Sequence, residues 1–168
     1  TCCRLQPLFP GFERESMGMM QNLSEVGVDH VSIEYFKLAL EKKWQGTDII
    51  SNILGYDIRK FYVNQGSKIT GREMILPLEY RLNNILLLKE FVNSYNMTFG
   101  AADNDLLLLS DSYACCSGAD LYLSNCNFHS HSYTMAARRA LETGKEISYR
   151  LIQDEWVPPC FRKVDHWI

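Results

Sequence analysis

Soft metal ligands gather towards the end of this sequence. Cys115, Cys116 and Cys126 are followed by His129 and His131, with Cys160 further downstream. Thiolates and imidazoles suit zinc and iron–sulfur clusters. One of Cys115 and Cys116, with Cys126, Cys160 and either histidine, would complete a four-ligand set. Adjacent thiolates rarely reach one small ion together, so only one of the adjacent pair is expected to bind. The spacing matches no standard finger, ribbon or ferredoxin pattern. The competing reading makes these cysteines small buried core residues and the histidines surface groups. Cys2-Cys3 either joins such a site or simply opens a strand.

A second group of polar residues falls inside apolar segments. Arg4 and Gln6 share one face of a strand, and Ser32 and Glu34 share a face of the next. A carboxylate in an apolar strand costs several kcal/mol, roughly, unless it is paired or opens on a polar cavity. Glu34 therefore points to a lined interior, with Arg4 as its candidate partner; the alternative is an exposed strand face. Asp103 and Asp105 follow a third strand, where they would hold a ligand's hydroxyls or ammonium, or else cap a helix over 106–109. Arg4, Gln6, Glu34, Asp103 and Asp105 are thus the candidate cofactor-binding residues. Arg138-Arg139 and Arg162-Lys163 are too few and too separated for a nucleic-acid stripe and read as solvated helix faces.

The elements that must position these groups follow from periodicity. Residues 4–9 form a strand closed by Pro10-Gly11, a helix runs over 13–26, and a strand over 28–38 places Val31, Ile33 and Tyr35 on one side. Thr47-Asp48 caps a helix that Gly55 ends, and 56–77 reads as loops with short helices. Asn83 or Asn84 caps a helix reaching Asn96, with Ile85, Leu88, Val92 and Tyr95 in one stripe. A strand over 97–102 and helices near 106–109 and 133–143 follow, before an irregular tail. The spacing predicts parallel strands near 4–9, 30–37 and 97–102 with helices between them. The fold class is α/β: a partial (β/α) barrel over 1–110 with a cysteine-containing extension over 111–168 packed on it. A full eight-fold barrel needs at least about 200 residues, and the chain has 168.

Formal net charge is −3, with no basic block. That argues against a dominant nucleic-acid or membrane-surface role. No stretch approaches the roughly 20 apolar residues of a membrane helix. The six cysteines include two adjacent pairs, an arrangement that strains disulfides, and the length supports a core without staples. A reducing, cytoplasmic compartment is expected. Thr1-Cys2-Cys3-Arg4 is not a signal peptide and enters a strand directly, so a fragment or cleaved product is expected.

Arg4-Leu-Gln-Pro-Leu-Phe-Pro-Gly-Phe, a helix, and then Glu25-Val-Gly-Val-Asp-His-Val-Ser-Ile-Glu-Tyr resemble the fifth and sixth barrel strands of radical S-adenosylmethionine (radical SAM) enzymes. The closest branch is the spore photoproduct lyase-like, DNA-repair-photolyase-like one. The Asn84 helix followed by Thr98-Phe-Gly-Ala-Ala-Asp-Asn-Asp looks like a later strand of the same barrel, and Cys115-Cys116-Ser-Gly-Ala-Asp like a cysteine-bearing extension. The resemblance covers about residues 1–125. It implies that residues 9–13 meet the cofactor, and that the complete enzyme uses S-adenosylmethionine and a 4Fe–4S cluster to generate a 5′-deoxyadenosyl radical. The family's C-x-x-x-C-x-x-C motif is absent here. The cluster ligands would lie outside this chain, on the missing N-terminal half of the barrel as partner, and the 168-residue chain alone would be inactive. A small-molecule or nucleic-acid-derived substrate fits the resemblance. The alternative is a non-catalytic metal-binding or structural interaction domain.

Overall fold

The computed structural model describes residues 1–40, 46–114 and 116–122, with 137, 140, 143–146, 148, 150 and 151. Strand β1 (Cys2–Leu8) is followed by helices α1 (Glu13–Gly18) and α2 (Met20–Glu25), then by strand β2 (His30–Tyr35). The single helix expected over 13–26 is broken at Met19, next to Gly18, a poor helix former. A short strand β3 (Leu38–Ala39) precedes α3 (Gly46–Leu54) and α4 (Ile58–Asn64). Strands β4 (Lys68–Thr70) and β5 (Glu73–Ile75), helix α5 (Leu78–Ser94) and strand β6 (Thr98–Ala101) complete the order. Short 3-10 turns at Leu107–Leu109 and Asp111–Tyr113 lead to α6 (Ala119–Tyr122).

The main sheet has the order β1-β2-β6, and both pairings are parallel. The three expected strands and their direction are therefore present in a mixed α/β fold. Strand alternation divides the sheet into two unlike faces. Val31, Ile33, Tyr35, Phe99 and Ala101 are buried against Met20 of α2 and Ile85, Leu88 and Val92 of α5. The opposite face carries Arg4, Gln6, His30, Ser32, Glu34, Thr98 and Gly100, and Gln6 Nε2 donates to Ser32 Oγ across it at 2.8 Å. A register shift between Leu5 and Leu8 turns Leu8 into the core, where strict alternation would have put it on the face of Arg4 and Gln6.

Two further differences from periodicity have local causes. The strand expected over 28–38 stops at Tyr35, whose N–H donates to the Asp103 carboxylate. Leu38 and Ala39 then join β5 and β4, which fall in the segment expected to be loops with short helices, in a separate antiparallel sheet. Helix α5 begins at Leu78, directly after Pro77, rather than at Asn83 or Asn84. Proline is tolerated at a helix start because it lacks the N–H that a helix interior uses.

The two edges of the main sheet differ. At β6, Phe99 N donates to Asp111 Oδ2 at 2.7 Å and Ala101 N to Ser110 Oγ at 3.0 Å. Side chains of the following turn thus satisfy outward-facing backbone groups that would otherwise invite another strand. At β1, no strand among the described residues pairs with the outer edge. Among the described residues no helix is long and apolar enough to cross a membrane.

Candidate functional site

Parallel sheets place their ligand sites at the carboxyl ends of the strands, and buried polar groups converge there in this chain. Beyond β1 the backbone turns at Gly11, whose φ of 89° favours glycine. The turn brings Glu13, buried at the start of α1, back towards the sheet. Glu13 Oε1 accepts from Tyr35 Oη at 2.8 Å and Tyr80 Oη at 3.0 Å, and Oε2 accepts from Gly11 N at 2.8 Å. Three neutral donors solvate this carboxylate, and among the described residues it forms no ion pair. Burial, and then the Glu13 charge, push the Tyr35 and Tyr80 hydroxyls well above the ordinary phenol range, so both stay protonated donors.

Aromatic rings enclose this carboxylate. Tyr35 and Tyr80 meet edge-on with centroids 6.0 Å apart, and Phe61 stands edge-on to Tyr80 at 6.0 Å. Tyr56 packs on Phe61 and donates to Pro10 O; burial and the Glu13 charge push its hydroxyl up to about 12. Tyr56 also lines a polar surface groove of about 660 Å³ between α3 and α4, with Thr47, Ser51 and Arg59.

Beside it lies a cluster of formal charges. Arg81 is 4% exposed; its Nε donates to Leu76 O at 3.0 Å, and its two Nη atoms grip the Asp105 carboxylate. Asp103, 2% exposed, accepts from Tyr35 N at 3.2 Å and sits 3.7 Å from both Arg81 Nη1 and Lys37 Nζ. Lys37 pairs with Glu34, and both are about 30% exposed (28% and 30%). Asp103 thus stands between an inner guanidinium and an outer ammonium. The cluster holds three carboxylates against two cations, a net acidic pole reaching the surface through Glu34 and Lys37. Burial lowers the Lys37 pKa, but Glu34, by hydrogen bond and charge, and Asp103 outweigh it, so the ammonium is held above its ordinary range.

Of the expected residues, Glu34, Asp103 and Asp105 belong to this pole. Arg4 is not the partner of Glu34: its guanidinium bonds Gln6 Oε1, and Lys37 takes Glu34 instead. Arg4 lies opposite Ser32 in the register, a full side-chain repeat before Glu34, which separates the two along the sheet. Asp103 and Asp105 do not cap the turn at Leu107–Leu109, which has no side-chain cap; Arg81 and Tyr35 N occupy their oxygens. Glu13 falls in the 9–13 segment that the resemblance placed at the cofactor, without a role of its own; Tyr35, Lys37, Tyr80 and Arg81 were not singled out as site residues by sequence. A signal existed for Arg81, which falls on the buried stripe of Ile85, Leu88 and Val92 at helical spacing. A charge on such a stripe demands a buried partner.

Of the expected metal ligands, Cys115, Cys126, His129, His131 and Cys160 lie outside the described residues. Cys116 lies at the opposite, amino-terminal end of the sheet, where its carbonyl accepts from His30 Nε2 at 3.0 Å. Among the described residues no three histidine, cysteine or acidic side chains converge in a metal-holding group.

The two aspartates respond oppositely to pH. Burial raises the Asp103 carboxyl despite the Tyr35 N–H and the two cations, whereas the Arg81 hydrogen bond lowers Asp105. The Asp103 contribution is complete below its unfolded pKa and is lost as pH rises through its folded value; that of Asp105 is present above its unfolded pKa and is lost on acidification. Asp103→Asn, which mimics the protonated acid, should therefore gain on the parent as pH rises above about 4. Urea unfolding across that range gives the test; parallel stability profiles would contradict it.

No protein-family description, curated protein or solved structure matches the chain.

Proposed function

We propose that this chain supplies late strands of a radical SAM barrel and that its acidic strand-end pole holds cationic or hydroxyl-bearing groups of the bound ligand. The observation that carries the reading is the two-faced parallel sheet. Its helix side is apolar, its other side polar, and charged groups converge at the carboxyl ends of β2 and β6. Helices on one face and a site at the carboxyl strand ends support an open piece of (β/α) barrel. The edges support the same reading. Ser110 and Asp111 close β6, while among the described residues no strand covers the outer edge of β1, where strands of an N-terminal half would add.

The residues fit the cofactors unequally. No cysteine triplet of the cluster-binding spacing is present, so the 4Fe–4S ligands belong to the partner segment. A net acidic pole suits the ammonium and sulfonium of S-adenosylmethionine, or a cationic substrate. The cofactor would supply the radical; Glu34, at the surface of the pole, would orient a cation with the Asp103 charge behind it, and the aromatic wall would exclude water.

The 168-residue chain alone should neither bind S-adenosylmethionine measurably by calorimetry nor release 5′-deoxyadenosine after cluster reconstitution. Joined to an upstream segment bearing the cysteine triplet, it should release 5′-deoxyadenosine. Glu34→Gln should then lower turnover about tenfold, the equivalent of about 1.4 kcal/mol. Turnover by the isolated chain, or a reconstituted joined protein that cleaves no S-adenosylmethionine, would refute the reading.

A structural interaction domain is the second reading. It is favoured by the extent to which these groups are already satisfied, Glu13 by Tyr35 and Tyr80, and Arg81 by Asp105. A reconstituted joined protein that cleaves no S-adenosylmethionine would favour it.

A further inference from the structure

The polar face of the main sheet carries one charged group that the strand-end pole does not use. Arg4, Ser32 and Gly100 are register partners and form one row across β1, β2 and β6. At the β6 end a Cβ on Gly100 would lie 2.7 Å from Cys116 O, so backbone closes the row there. Ser32, in the middle, is fully buried. At the β1 end Arg4 is exposed.

Ser32 holds the arginine in place through Gln6. Gln6 Nε2 donates to Ser32 Oγ at 2.8 Å, which turns Oε1 towards Arg4. Arg4 Nε donates to that oxygen at 3.0 Å, and Nη2 donates to it as well. A flipped amide would set its NH2 against the guanidinium, donor against donor, so the amide has one orientation. A guanidinium can donate in pairs along two edges, Nε with Nη2 and Nη1 with Nη2. The amide oxygen occupies the first edge. Among the described residues no acceptor meets the second, and no carboxylate pairs with Arg4. A neutral amide therefore fixes this guanidinium without cancelling its charge.

We propose that Arg4 is an oxyanion clamp: its Nη1–Nη2 edge takes a carboxylate or phosphate group of a ligand on the polar face, with Gln6 and Ser32 as positioning residues. Planar, paired donation suits both oxyanions. Glu34 lies two residues beyond Ser32 on the same face, about 6.6 Å along the strand. The ligand is thus amphoteric, anionic over Arg4 and cationic at Glu34. The cationic end rests on the proposed function of the acidic pole; the clamp does not.

Phenylglyoxal modification of the full chain, mapped by mass spectrometry, tests the clamp without an upstream segment or cofactor. Inorganic phosphate or acetate, against chloride at equal ionic strength, should slow the modification of Arg4, while the exposed Arg14 and Arg59 keep their rates. The slowing should saturate the site, reaching roughly tenfold at about nine times the half-protecting concentration, the factor 1 + [L]/Kd. Protection by acetate assigns a carboxylate ligand, and protection by phosphate a phosphorylated one. In Gln6→Ala and in Ser32→Ala the selective protection of Arg4 should fall, with Arg14 and Arg59 as references within the same sample. Equal slowing of all three arginines, no slowing of Arg4, or undiminished protection in both variants would overturn the proposal.

Discussion

Arg81→Met should destabilise the protein by about 3–5 kcal/mol, the cost of breaking a buried ion pair from one side. The substitution keeps much of the apolar stem on the stripe with Ile85, Leu88 and Val92, so the loss comes from the head group. Without the guanidinium, Leu76 O loses its donor, and Asp103 keeps only Tyr35 N and a Lys37 ammonium 3.7 Å away. Asp105 is half-exposed and regains water, so its share of the cost is small. Arg81→Met combined with Asp103→Asn should recover part of the loss, because the stranded buried charge is gone. Urea unfolding of the four proteins in the cycle measures it. Equal, additive losses would mean that Asp103 is not held by Arg81.

Glu13→Ala should cost about 1–3 kcal/mol, the cost of one buried donor left unmet, with Tyr35 as that donor and the exposed Gly11 and half-exposed Tyr80 adding little. Two tyrosine hydroxyls and Gly11 N–H lose their acceptor together. Glu13→Gln should cost less. Its carbonyl can still accept from the tyrosines, but its amide then faces the Gly11 N–H, donor against donor. Tyr35→Phe in the Glu13→Ala background should restore stability relative to Glu13→Ala alone, because one orphaned hydroxyl is removed. Thermal unfolding checks the order. A double variant weaker than Glu13→Ala would show that Tyr35 Oη has another buried acceptor.

These two clusters mark where one-dimensional reading stopped. Val31, Ile33 and Tyr35 alternate in the sequence and are buried on one face; Ile85, Leu88 and Val92 recur at helical spacing and are buried on one stripe. Periods of two and of 3.6 residues are local properties, so strands, the long helix and their parallel order were legible without coordinates. The carboxyl-end position of Glu34, Asp103 and Asp105 was legible for the same reason: each follows or ends a strand.

Which charge meets which was decided only by tertiary structure. Arg4 and Glu34 looked complementary, yet Lys37, three residues on, takes Glu34, while Arg81, on a helix more than twenty residues upstream, takes Asp105. Glu13 finds Tyr35 and Tyr80 from two other elements. The small antiparallel sheet had no such signal either, because strands of two or three residues are too short to show a period. The amino acid sequence determined the elements and their apolar faces; chain folding over long separations determined the partners of the buried charges. The physical reason is that burial follows local pattern, whereas a buried charge requires a counter-charge wherever the fold brings one within reach.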